Sequence, residues 1–217
     1  MPTKRDKVWL TAEQVDGMLQ AAKRESMRDY CLLLLMRFGL RVGEIVGSHD
    51  VVRYKRWVDR ENHALGKEEQ VSVVDLPGIH RQDVRREEQG LWVRGKGGEA
   101  RLVPMPGFVM DALVEYAYAA GLGAGAKMFD LAERKAEQLV HQYARIAGVP
   151  DWDRPGFGPH RLRAFYATDA KDKGLTSYQI RDLMRHSKLA TTELYVGRST
   201  GKQLRQMVDK LAETDEE

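Results

Sequence analysis

With 217 residues, 42% of them apolar and 31% charged, the chain is sized for one globular domain with extensions and is too apolar to be disordered. Its longest apolar run, "CLLLLM", is far too short to span a bilayer, "MPTKRDKVWL" lacks the apolar stretch of a secretory signal, and the single Cys31 has no internal disulfide partner, so an intracellular, cytoplasmic protein is expected. The net charge of +3 does not by itself announce a nucleic-acid partner, although "RYKRW", "RQDVRR", "RGKGGEAR" and "HRLR" gather basic residues locally, as a plain solvated face also does.

In chain order, Thr11 with Gln14 three residues on reads as a capping box that opens an amphipathic helix through "TAEQVDGMLQAAKR". A second helix is expected from Met27 to Phe38, with Gly39 as its stop, and "RVGEIVG" resumes helical spacing briefly. The stretch from Ser48 to Leu76 reads as polar and irregular, with Val51, Tyr54 and Trp57 spaced to share a helical face. Strand signals occur once: "GLWVR" and "ARLVPM" flank "GKGG", a hairpin with a glycine-rich turn. Further helices are expected at Phe108–Ala119, Leu131–Ala147, His160–Lys173 and Thr176–Met184, the last opened by a Thr176/Gln179 capping box. The expected fold class is therefore mainly α with a small antiparallel β-sheet.

Several residues carry chemistry only in combination. His160 and Arg163 in "PHRLRAFYATDA" lie one helical turn apart and face the same way, which suits one anion, yet H-x-x-R arises often by chance. Arg41 follows a helix break, where its planar fork can reach phosphate oxygens. Lys96 sits in "GKGG", where glycines allow close approach to a ligand or merely form an exposed tip. Alone, Tyr195 reads as a half-buried core phenol and His186 as a helix C-cap.

Taken together, "GLRVGEIVG", "VRGKGGEARLVPMP", "PHRLRAFYAT" and "LMRHSKLATTELYV" resemble, in order, the signature blocks of the tyrosine recombinases, the phage-integrase and Xer-like group, over Thr11 to Val196. The resemblance implies the catalytic-domain fold of that family and a site-specific DNA recombinase of integrase or resolvase type, working on a double-stranded DNA recombination site without cofactor, metal or ATP. It implies Arg41, Lys96, His160, Arg163, His186 and the nucleophile Tyr195 as catalytic residues, joined by a 3′-phosphotyrosyl intermediate and a freed 5′-hydroxyl. The residue types suit that chemistry. A phenol with an ordinary pKa near 10 needs a base, for which His160 serves, and surrounding positive charge. The phosphodiester gains negative charge as it becomes five-coordinate, which Arg41, Arg163 and His186 would clamp, and the departing alkoxide needs a proton, which Lys96 would deliver.

Three departures accompany the resemblance. Arg185 stands where the family usually has glycine before the later histidine. Residues 48–76 interrupt the match, and Arg53, Lys55 and Arg56 beside Tyr54 and Trp57 suit either a DNA contact or a plain surface helix. Only residues 1–10 precede the first helix, whereas larger members carry a separate DNA-binding domain there, so the chain is a single-domain form or a fragment. Arg94, Arg101, Arg161 and Arg185 complete the expected DNA-binding set. The expected organisation is a tail (1–10), a catalytic domain (11–196) with its 48–76 insertion, and a C-terminal helix with an acidic tail (197–217), in which Leu204, Met207, Val208 and Leu211 keep helical spacing. Self-assembly on DNA as a dimer or tetramer is expected, with no membrane partner. A catalytically silent DNA-binding module of the same fold, or a type IB topoisomerase-like DNA relaxation, are the alternatives.

Overall fold

A computed structural model of the chain describes residues 9–59, 65–95 and 99–185, and for residues 50–59 and 65–74 the backbone alone. Residues Met1–Tyr166 and Ala167–Glu217 form two compact units.

The first unit begins with α1 (Ala12–Glu25), and the Thr11/Gln14 capping box is present: each side chain accepts from the other residue's backbone N–H. Ser26 then caps α2 (Met27–Arg37) through the Asp29 N–H. Leu32 to Met36 are all buried, so α2 is apolar around its circumference and must be covered. The covering helices are α1, α4 (Gly107–Ala119) and α5 (Glu133–Ile146). Each fully buried leucine contributes on the order of 2 kcal/mol, which makes α2 the anchor of the core. The Cys31 thiol donates to the Ala112 carbonyl at 3.4 Å inside this core, and burial pushes its pKa up to about 12, so it is a packing residue.

Helix α2 stops where expected. Gly39 takes φ +86°, its N–H donates to the Met36 carbonyl, and the Leu40 N–H reaches back to Leu35. These paired bonds, with the left-handed residue just past the cap, form a Schellman closure. The chain reverses and starts α3 (Val42–Val46) at once, with Arg41 as its N-cap.

Residues 48–59 and 65–76 correct the sequence reading. They form strands β1 (Ser48–Asp59) and β2 (Leu65–Leu76), paired antiparallel from Ser48 opposite Leu76 to Asp59 opposite Leu65, and are neither irregular nor helical. The i, i+3 spacing of Val51, Tyr54 and Trp57 suggested a helical face, but β-branched and aromatic residues suit a pleated strand better, and Val71, Val73 and Val74 supply a matching one. The ribbon leaves and rejoins the domain at one point. Gly47 (φ +89°) and Gly78 (φ +79°) lie so close that a Cβ on Gly78 would meet the Gly47 nitrogen at 2.8 Å, and the Ile79 N–H donates to Ile45 across the gap.

A 3₁₀ turn (Arg81–Asp83) leads to β3 (Val84–Arg85), β4 (Gly90–Arg94) and β5 (Ala100–Pro104), a three-stranded antiparallel sheet in that order. The expected hairpin is its β4–β5 pair, while β3, at two residues, is too short to show a period in sequence. Among the described residues there are thus two small sheets where the sequence suggested one. Helix α6 (Pro159–Asp172) runs from the first unit into the second. Of the second unit, α7 (Ser177–Met184) is described, opened by the Thr176/Gln179 capping box, with Ile180 and Met184 buried. Among the described residues, no helix is long and apolar enough to cross a membrane.

Candidate active site

The turn between α2 and α3 brings together two of the expected residues, Arg41 and Arg163. Helix α6 carries Arg163 inward until it is 5% exposed, and its Nη1 donates to the carbonyl oxygen of Gly39. A buried guanidinium is costly unless its donors are used, and here it grips the carbonyl left by the α2 reversal, two residues before Arg41. Leu162 and Phe165 beside it are buried in the core and fix the helix rotation that makes this contact.

Arg41 is held from the other side. Its backbone N–H donates to Glu44 Oε2 and its Nη1 to Glu44 Oε1, each at 2.8 Å. The Glu44 side chain is only 3% exposed whereas that of Arg41 is 48% exposed, so a buried carboxylate orients a cation that still faces outward. The sequence reading missed Glu44. The signal was there, since an acid three residues after a helix N-cap is the capping-box spacing. Gly43 packs closely in the same turn: a Cβ there would come within 2.8 Å of Glu133 Oε1, the end of a flexible side chain, and 3.1 Å of the Ser48 Cβ.

His160 stands one turn before Arg163, at the N-terminal end of α6 and more open to solvent. Desolvation first, and the neighbouring Arg161 charge second, lower its pKa from the ordinary 6.5. The imidazole is thereby biased toward the neutral form, which accepts a proton.

The remaining expected residues divide. Arg94 ends β4 and is gripped by Asp83, Nη1 to Oδ2 at 3.0 Å and Nη2 to Oδ1 at 3.2 Å, while Asp83, 3% exposed, also accepts from the His80 N–H. Asp83 is a second carboxylate the sequence reading did not single out. Arg101 pairs with Glu99 on the surface, and Arg161 Nε donates to the Gly156 carbonyl at 3.2 Å. Arg53, Lys55 and Arg56 lie along β1, where the register sets Lys55 opposite Glu69 and Arg56 opposite Glu68. Arg185 caps α7 in a left-handed conformation, φ +54°, the geometry for which glycine is the usual residue. Lys96, His186 and Tyr195, with the tail from 197 onward, lie outside the described residues. The strands that flank Lys96 pair up to Arg94 and Ala100, and the Gly95 N–H donates to the Glu99 carbonyl.

No family model matches the chain. It is 34% identical over 139 residues to the tyrosine recombinase XerC of Mycobacterium leprae, covering 58% of this chain and 44% of that protein. Against the tyrosine recombinase XerD of Vibrio vulnificus it is 30% identical over 201 residues, covering 86% and 55%. Among solved structures, XerA recombinase superposes with a TM-score of 0.68 at 20% identity, over 96% of this chain and 66% of that one. The chain is a relative of the tyrosine recombinases and has their catalytic-domain fold.

The XerH recombinase bound to its difH substrate also shares this fold, with a TM-score of 0.62 at 17% identity over 96% of this chain and 55% of that one. The chain spans about half the length of the curated tyrosine recombinases it matches. Seen as a fold of that family, the Arg163–Gly39 contact ties α6 to the turn that precedes α3, so two stretches more than a hundred residues apart in sequence meet at one backbone carbonyl.

Proposed function

We propose that the chain is the catalytic domain of a site-specific DNA recombinase that breaks and rejoins strands through a 3′-phosphotyrosyl intermediate. The observation that carries this reading is the buried Arg163 on the Gly39 carbonyl, beside an Arg41 held by Glu44 and one turn from a His160 biased toward neutrality. Two fixed cations with a base at hand suit a phosphodiester that gains negative charge in its transition state. The relatives named XerC and XerD, and the neighbour XerH with its difH substrate, favour double-stranded DNA as the partner.

In this reading Tyr195 Oη attacks the scissile phosphorus as His160 takes its proton, and the 5′-oxygen leaves with a proton from Lys96. Arg41, Arg163 and His186 hold the non-bridging oxygens. Religation reverses these steps with a different 5′-hydroxyl, so the bond energy is kept in the phosphotyrosine and no ATP is consumed. Residues 11–196 would form the catalytic domain and 197–217 a C-terminal tail. Arg53, Lys55, Arg56, Arg94, Arg101, Arg161 and Arg185 would add phosphate contacts, and copies would assemble on the site.

The test is incubation with nicked duplexes that trap cleavage, followed by denaturation and a search for protein-linked DNA. A 3′-linked adduct that vanishes in Tyr195→Phe is the expected result. DNA binding without any adduct in the wild type would overturn the reading in favour of a silent module.

A further inference from the structure

The β1–β2 ribbon pairs with no other strand among the described residues. Twelve residues at about 3.3 Å each make each strand roughly 40 Å long. A two-stranded ribbon is marginally stable in water by itself, and an unbroken edge without proline is a template for a further strand. The two edges are not equivalent. Opposite residues of an antiparallel pair both turn their N–H and C=O groups toward the partner or both away, so a strand meets its own copy only in registers centred on a residue.

For β1, the two longest such registers are centred on Arg53 and Tyr54. The first sets Arg53 against itself, with Asp50 opposite Arg56 at both ends, and the second sets Arg53 against Lys55 twice, with His49 opposite Asp59, so each β1 register carries a like-charge pair, which is unfavourable. For β2, the two longest are centred on Gln70 and Val71. The Gln70 register is neutral. The Val71 register sets Lys67 opposite Asp75 at both ends, with Glu69 opposite Val73 and Glu68 opposite Val74, and no like charges meet. The Asp75 side chain is 78% exposed, its carboxylate 3.5 Å from the equally open His49 imidazole.

We propose that the free edge of β2 docks on β2 of a second copy of this chain, antiparallel about Val71, to build a four-stranded sheet across a two-fold axis. The β1 edge, where both long registers set cations opposite each other, stays at the outside of that sheet. The pairing needs neither DNA nor catalysis and is independent of the reading of the active site.

The test is light scattering on the full chain without DNA, across a concentration series. The wild type is expected to form a reversible dimer, and Asp75→Lys or Lys67→Asp alone should weaken self-association by roughly tenfold or more. The double variant K67D/D75K restores the opposite charges and should dimerise again, which separates a lost contact from a misfolded ribbon. Mixing the two single variants should likewise give a heterodimer. A monomeric wild type, or a dimer indifferent to these charges, overturns the proposal. So does a monomer whose duplex affinity falls in Lys67→Asp, which would make the β2 edge a DNA contact.

Discussion

The α2–α3 turn and the β1–β2 ribbon sit next to each other in sequence and differ in how they are specified. The turn is fixed from several directions: the Schellman closure at Gly39, the Glu44 clamp on Arg41, the buried Arg163 from α6 and the absence of a side chain at Gly43. The ribbon is fixed by one register and by two glycines where it leaves the domain. The phosphate-handling site proposed for the turn needs side chains held to a fraction of an ångström, which such an over-determined frame supplies. A surface excursion needs only a sound base, and that leaves its outer edges free to vary and to bind.

The comparison breaks most visibly if the turn tolerates loss of its internal cation. Arg163→Ala should cost about 3 kcal/mol of stability, because it strips the Gly39 carbonyl of its partner and opens a void, and it should abolish DNA cleavage. Chemical denaturation and the adduct assay read the two effects. Arg163→Lys should recover part of the stability and little of the cleavage, since an ammonium does not reproduce the planar fork.

Glu44→Gln comes next. An amide removes the charge facing Arg41 and offers only one accepting oxygen for two donors, so about 1–2 kcal/mol of stability is lost, with a larger proportional loss of cleavage than of DNA affinity. Equal loss of both would show that Glu44 serves the fold alone.

The ribbon should behave in the opposite way. Joining Gly47 directly to Pro77 removes both strands while keeping the glycine pair and the Ile79–Ile45 bond, so the core should melt within a few degrees of the parent, on the order of 1 kcal/mol. A melting point lowered far beyond that, by calorimetry, would mean the ribbon is part of the core.

Protonation sharpens the account of His160. Its pKa is lowered in the folded chain, so the folded state disfavours the charged form. Its contribution is therefore fully present above the unfolded histidine value of 6.5 and declines as pH falls through that value and below. Cleavage should fall along an acid limb that lies below pH 6.5, and the imidazole should titrate below 6.5 by proton NMR too; a limb above 6.5 would contradict the role.

The smallest effect is expected at α7. Arg185→Gly relieves a left-handed backbone at a non-glycine residue and should stabilise the chain by about 0.5–1 kcal/mol. A concurrent fall in duplex affinity would show that the arginine is kept there for DNA.

What was legible in the sequence follows the same division. The helices announced themselves through local chemistry: two capping boxes, Gly39 as a stop, and an apolar run flanked by polar faces, all set by neighbours three or four residues apart. The ribbon was misread because its strands are mixed in polarity, so its period is fixed by the facing strand, from Asp59 opposite Leu65 out to Ser48 opposite Leu76, and not by a local stripe. In the site, H-x-x-R and the arginine after Gly39 were visible as residue types. That Arg163 turns inward onto a carbonyl, and that Glu44 rather than solvent holds Arg41, depends on packing between distant helices. Asp83 escaped notice for the same reason, since its hold on Arg94 joins a 3₁₀ turn to a strand end.

The central claim is that Arg41 and Arg163 form one clamp on one phosphate. A double-mutant cycle in single-turnover cleavage, with Arg41→Ala, Arg163→Ala and the pair together, tests it most directly. The account predicts strong non-additivity, with the double variant hardly slower than the worse single one. Losses that multiply independently would contradict it.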